Sequence, residues 1–300
     1  MDIDTYQKEA RVTDQFPDTE DGRALLIPML GIIGEMGSLA TCFKKRMRDN
    51  ENYELFLDDL KVEMGDVLWY LANLSTKWNF KLSEVAQKNL DKNTDRWINT
   101  QSVKSILLDE QYSVLEQMPR ILTVRFFQGT NEYLNKESVA ITVNDEAIGD
   151  ELTDNAYEND GYRFHDVFHL AYATFLGWSP VLRTLLKIKR KSSPEIDEVE
   201  DGARARIIEE AISLYVFTYA KQHNLLDGVK EIDFEILKTI KNLVSYLEVR
   251  DRTALQWKQA ILEGYQVYRK LKENIGGQVT INLTERSIVY SKLEIKYDSN

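Results

Sequence analysis

The stretch KVEMGDVLWYLANL, residues 61–74, sets two acids, Glu63 and Asp66, among residues that belong inside a protein. Leu60, Met64, Val67, Leu68, Leu71 and Leu74 recur at helical spacing, so the segment reads as a helix. Residues three apart lie on nearly one face of a helix, which lets both carboxylates address one point. An ionised carboxylate held away from water is costly without a partner. A lysine or arginine on a bundle edge, solvent, or a hard divalent cation such as Mg²⁺ would each serve. Two helix carboxylates hold a cation weakly. Glu35, mid-helix in GIIGEMGSLATCFKKR, is the candidate third.

Around this stretch the first hundred residues read as four helices with short connections, the pattern of an antiparallel bundle. IDTYQKEARVTDQF is a short opener closed by Pro17, and a second helix covers roughly 24–48. Its basic end, KKRMR, opposes the negative end of the helix dipole. A third runs from about 53 to 79, and the fourth, LSEVAQKNLDKNTDRW, follows Ser83 as N-cap. The period then changes. RILTVRFFQ and SVAITVNDEAIGD suit strands, helices return from about 161, and GGQVTINLTERSIVY reads as a closing hairpin. The expected fold is mainly α: an all-α bundle over 1–104, then a helical domain over 105–300. A small antiparallel β-sheet, with strands near 120–148 and 277–290, belongs to the second.

A hydrophobic share of 43% is enough for real cores, while a net charge of −11 argues against stable nucleic-acid or anionic-membrane binding. The single cysteine, Cys42, excludes an internal disulfide framework. The N-terminus is acidic and polar, and the apolar run ALLIPMLGIIG is short and interrupted by Pro28, Gly31 and Gly34. A soluble, cytoplasmic chain without a membrane span is expected.

The segments GEMGSLATCFKKRMRD and EMGDVLWYLANLSTKWNFKLSEVAQKNLDKNTDRW resemble the MazG-like nucleotide pyrophosphohydrolases, of the all-α nucleoside triphosphate pyrophosphatase group, over about residues 24–98. In that family four acids on two helices hold Mg²⁺, drawn from the patterns E-E-x-x-E on one and E-x-x-D on the next. The second pattern is intact in Glu63 and Asp66. The first reads G-E-M-G-S, with Gly34 and Ser38 where the family has acids. Asp59, one turn before Glu63, either compensates or is simply solvated.

The resemblance implies Mg²⁺-dependent hydrolysis of a nucleoside triphosphate, ribo or deoxy, to monophosphate and pyrophosphate, with Mn²⁺ as the alternative ion. Glu35, Glu63 and Asp66 would hold metal, one of them serving as base. It also implies Asn89, Lys92 and Arg96 near the phosphates; Lys44 and Lys45 are further candidates, although a basic helix end is commonly just solvated. Trp69 and Trp97 read as packing aromatics before base-stacking ones. A homodimer or higher oligomer is expected, serving nucleotide-pool cleaning or depletion. The alternative function is a nucleotide-binding sensor whose catalysis is weakened at Ser38.

A second cluster lies in GYRFHDVFHLAY. His165 and His169, two of three histidines, stand one helical turn apart with Asp166 between, and RIIEEAIS supplies Glu209 and Glu210. Three readings stay open: a second metal or phosphate site, a buried polar network, or a peptidase similar to H-E-x-x-H zinc proteases. Asp166 is shorter than the glutamate base of such proteases, which counts against the last. EIDEVEDGARAR, with Glu198, Asp201, Arg204 and Arg206, adds charge to the same region.

Overall fold

The computed structural model describes residues 1–15, 23–98 and 107–293, and the chain divides into two compact units, Met1–Thr94 and Asp95–Asn300. The expected boundary at 104/105 and the expected stop at Pro17 lie outside the described residues.

The first unit consists of α1 (Ile3–Val12), α2 (Arg23–Asp49), α3 (Phe56–Lys77) and most of α4 (Leu82–Trp97). Asp2 caps α1 by accepting from the Thr5 N–H at 2.9 Å. Helix α2 packs on α3 where Gly31 meets Tyr70; a Cβ at Gly31 would sit 2.3 Å from the ring. Helix α4 begins one residue before Ser83, so that serine is not its N-cap. The cap comes instead from α1: Gln7 Oε1 accepts from the Leu82 N–H at 2.7 Å and Asp4 Oδ1 from the Ser83 N–H at 3.2 Å. These are orphan donors of a helix start, satisfied across the bundle rather than locally.

Little is buried in this unit. Its apolar cluster is Ala10, Ala72 and Leu82, with Tyr6, Leu68 and Trp69 partly covered around it. Pro28, Gly31 and Gly34 do not interrupt α2, so its apolar run is longer than the sequence alone suggests. By length and hydropathy α2 is the one helix among the described residues suited to crossing a membrane. Glu35 at its middle faces two further carboxylates, a grouping that hydrocarbon does not accommodate.

The second unit is built on an antiparallel sheet of β1 (Ile121–Asn131), β2 (Lys136–Val143), β3 (Glu146–Ala147), β4 (Leu152–Thr153), β5 (Gly276–Asn282) and β6 (Ser287–Ser291). The order is β3-β2-β1-β5-β6, with β4 paired to β2, so the C-terminal hairpin joins the middle strands. Phe126 on β1 stands opposite Ile141 of β2 and Gly277 of β5. Gly276, at φ +122°, allows that strand to start: a Cβ there would lie 2.5 Å from the Phe126 carbonyl oxygen.

Helices α5 (Asp166–Leu176) and α10 (Ala254–Glu273) pack on each other and on the β5–β6 hairpin. Every residue of α5 from Val167 to Leu176 is buried, which explains an apolar surface on all sides. The α5–α10 contact closes on small residues, Gly264 against Ala171. Around it stack Phe168 on Tyr265, at 4.6 Å between centroids, and Trp257 against Tyr172 and Trp178. Helix α8 (Ala203–Lys221) packs on α5, α6 (Pro180–Leu185), α7 (Pro194–Val199) and α9 (Phe234–Leu243), and α9 packs on α10.

Candidate functional site

In the first unit α2 and α3 bring Glu35, Glu63 and Asp66 together, one oxygen from each lying within 4.8 Å of the others. The i, i+3 spacing supplies two of them from one face of α3, and the close α2–α3 approach supplies the third. No ion pair or hydrogen bond reaches these carboxylates from the described residues. The bundle-edge arginine or lysine weighed as their partner is therefore not found among the described residues. Asp66 does act on a neighbour: burial first and its charge second raise the Tyr6 hydroxyl above the usual phenol range. Ser38 lies one turn beyond Glu35 on the same helix, and Asp59 is engaged by the Tyr53 hydroxyl, so neither adds an acid to the group.

The other expected residues are spread along the helices. Lys44 and Lys45 are exposed at the end of α2, with Lys45 Nζ 5.7 Å from the centre of the Tyr53 ring. Asn89 and Lys92 are exposed on α4, and Asn89 Oδ1 accepts from Asn93 Nδ2 at 2.9 Å. Arg96 belongs to the second unit and lies over the rings of Trp97 and Phe234. Trp69 packs in the small core and donates Nε1–H to Thr13 Oγ1 at 2.7 Å, whereas Trp97 is half exposed.

In the second unit His165, Asp166 and His169, from the start of α5, meet Glu209 and Glu210 of α8. The two glutamates do different work. Glu209 is fully buried behind the histidines and accepts three bonds: His169 Nδ1 at 2.8 Å, Ser179 Oγ at 2.7 Å and the Val181 N–H at 2.8 Å. Glu210 stands in front and is partly exposed. Burial pushes the His169 pKa down, yet Glu209 and Glu210 outweigh it and hold the imidazole well above its usual value. Burial likewise raises Glu210, and the His169 imidazole close to it, together with both histidine charges, brings it below the usual carboxylate value.

Two contributors escaped the sequence reading. Ser179, ahead of Pro180, carries the signature of a helix start with serine at N-cap and proline at N1, which offers a hydroxyl and backbone donors at one spot. Tyr162 contributes its backbone carbonyl, for which no side-chain pattern exists. Conversely, Asp201 does not join the histidines. It is fully buried with Arg190, whose Nη2 lies 2.7 Å away, and that guanidinium also binds Glu248 at 2.6 Å. Arg204 lies over the Tyr246 ring, and Glu198 is exposed.

Comparison with known proteins assigns both units. Residues 27–101 match the MazG nucleotide pyrophosphohydrolase domain, and residues 103–294 match the MazG C-terminal domain. Among curated proteins, the Gene 37 protein of Mycobacterium phage L5 is 37% identical over 97 residues, covering 31% of this chain and 85% of that protein. No solved structure matches the chain. With a match to the MazG nucleotide pyrophosphohydrolase domain over the three acids and a match to the MazG C-terminal domain over most of the rest, the chain belongs to the MazG nucleotide pyrophosphohydrolase family.

Proposed function

We propose that the chain is a Mg²⁺-dependent nucleoside triphosphate pyrophosphohydrolase, with Mn²⁺ as the alternative ion, and that Glu35, Glu63 and Asp66 hold the metal. The observation that supports this is the convergence of three carboxylates without an ion pair or hydrogen bond, inside the segment that matches the pyrophosphohydrolase domain. Oxygen donors alone are the set a hard cation takes, so the residues fit the ion. When bound, Mg²⁺ offsets charge on the phosphate oxygens and lowers the pKa of water. One carboxylate of the three accepts the proton as water attacks between the α- and β-phosphates, and the bond broken yields monophosphate and pyrophosphate. Lys44, Lys45, Asn89 and Lys92 are exposed and supply charge and an amide donor for a triphosphate. Arg96, which the resemblance also names, lies in the second unit over the Trp97 and Phe234 rings.

The same reading includes a homodimer or higher oligomer. Leu26, Met29, Leu30 and Ile33 form an exposed apolar stripe at helical spacing on α2, and a second copy of this chain is its proposed cover. The service to the cell is cleaning or depleting the nucleotide pool. A second reading rests on Ser38: with one acid fewer, the unit binds Mg²⁺–triphosphate as a sensor and turns it over weakly. Incubating the chain with each ribo- and deoxyribonucleoside triphosphate separates the two. Equimolar monophosphate and pyrophosphate support the enzyme; Mg²⁺-dependent binding without pyrophosphate release replaces it with the sensor.

A further inference from the structure

The front of the histidine cluster holds four groups that gather without bonding one another. His169 Nε2 lies 3.4 Å from Glu210 Oε1 and 3.9 Å from Asp166 Oδ1. His165 Nε2 lies 3.6 Å from Asp166 Oδ1 and 3.7 Å from Glu210 Oε2. All four separations exceed the ~2.7–3.2 Å of protein N–H···O bonds. His169 Nε2 is a buried atom with no hydrogen-bond partner, on a residue only 1% exposed. A buried ring nitrogen left unsatisfied is destabilising, and here it faces two carboxylates and a second imidazole.

The far side of each ring says which atom is on offer. His165 Nδ1 lies 2.9 Å from the Tyr162 carbonyl oxygen, which can only accept, so Nδ1 carries the proton. His169 Nδ1 faces Glu209, whose other bonds are all from donors, so it too donates. Nε2 is therefore the atom each ring leaves for an ion, which on binding takes the place of any second proton there. Tyr162 also stacks on His165 at 4.4 Å with the rings nearly parallel, fixing the ring plane. Imidazoles whose second nitrogen is held by a carboxylate and by a backbone carbonyl are the arrangement found behind metal-bound histidines.

We propose that His165 Nε2, His169 Nε2, Asp166 and Glu210 form a second metal centre that takes a divalent first-row transition ion, Zn²⁺ by best fit, with Glu209 and the Tyr162 carbonyl orienting the histidines. Ligands about 2.0–2.2 Å from a tetrahedral ion stand about 3.3–3.6 Å apart. The four front separations, 3.4–3.9 Å, lie close to that spacing, and one atom each of His165, Asp166 and His169 lies within 4.8 Å of the others; Glu210 reaches the two histidines with different oxygens and turns to give one to the ion. Two neutral imidazoles and two carboxylates sum to a charge of −2, which a divalent ion cancels. The mixed nitrogen and oxygen donors select Zn²⁺-like ions over the Mg²⁺ of the first unit. Asp166 and Glu210 reach solvent, so the ion has an entry path, and once bound it ties α5 to α8.

The test uses the full chain carrying Glu63→Gln and Asp66→Asn, which removes two of the first unit's three acids. After chelator treatment, equilibrium dialysis against Zn²⁺ should return one ion per chain, and Zn²⁺ should raise the melting temperature. Glu210→Gln, at a partly exposed position, and His165→Asn should each weaken binding and abolish the Zn²⁺-dependent rise while the apoprotein still melts cooperatively. Glu209→Gln, which touches no ion, should weaken Zn²⁺ by about 10–100-fold. Less than one Zn²⁺ per chain, or equal binding with and without Glu210→Gln and His165→Asn, overturns the proposal in favour of a hydrogen-bonded network.

Discussion

Trp257, Trp178, Tyr172, Tyr265 and Phe126 of the second unit are all at most 2% exposed, whereas Leu26, Met29, Leu30 and Ile33 on α2 of the first are each more than half exposed. Both segments are rich in apolar residues, so composition does not separate them. The acids differ in the same way. In the second unit buried Asp109, Asp154, Asp201 and Glu209 each accept from an arginine, a histidine or backbone N–H groups. In the first unit Glu35, Glu63 and Asp66 converge on one another alone among the described residues. The second unit satisfies these buried acids with its own side chains and backbone. The first leaves half-exposed Glu35 and Glu63, exposed Asp66 and its apolar stripe open to the metal, nucleotide and second copy proposed above.

Neutralising the unpartnered acids should show the largest effect. Glu63→Gln and Asp66→Asn keep shape and remove charge, so each should cut turnover by about 10⁴-fold, some 5 kcal/mol, while the melting temperature stays near wild type. Pyrophosphate release at the wild-type rate would place the metal elsewhere.

Next come paired substitutions of apolar residues. Trp257→Ala in the closed core should cost about 4 kcal/mol of stability. Ile33→Glu on the open stripe should change chain stability by less than about 0.5 kcal/mol, and in sedimentation it should convert a dimer to a monomer. A wild-type monomer at micromolar concentration breaks the proposed cover by a second copy.

Adding an acid to the first unit should have a smaller consequence. Ser38→Glu returns one of the two acids of the family pattern that this chain lacks, and Mg²⁺ affinity measured by calorimetry should rise on the order of tenfold. Unchanged affinity would mean that position 38 does not face the ion.

The smallest effect belongs to the second unit. Burial lifts the Glu200 carboxyl from 4.5 to about 7, with nearby Glu248 adding to the lift against the Glu248 N–H bond. Between these values the folded chain keeps a proton that the unfolded chain has lost, so stability falls as pH rises through that window. Glu200→Gln, neutral throughout, should flatten the loss by about 1 kcal/mol after discounting for partial solvation. Identical slopes in denaturant titrations at pH 5 and pH 8 would remove Glu200 from the account.

Much of the architecture was legible because helix and strand periods are local. The 22 residues of α3 follow the leucine spacing that marked it, and the closing hairpin pairs with the middle strands as its β-branched runs suggest. Local signals misled where a partner came from afar. Ser83 has the chemistry of an N-cap, but Asp4 and Gln7 of α1 take that duty for α4. Asp201 shares a charged run with Glu198, Arg204 and Arg206, yet its partner is Arg190, eleven residues earlier.

By itself the sequence determined what 3.6 residues per turn dictates: Glu63 and Asp66 on one face, His165 and His169 on another. It also carried the resemblance over residues 24–98 that pointed to pyrophosphate chemistry. Only the tertiary structure decided that Glu35 joins the first pair, that Glu209 stands behind the histidines while Glu210 stands before them, and that no described side chain neutralises the first cluster. The physical reason is reach. Backbone geometry fixes the direction of neighbours a turn apart, whereas adjacent residues such as Glu209 and Glu210 diverge by about 100° around a helix. Which of them meets a histidine forty residues away depends on how α5 and α8 pack.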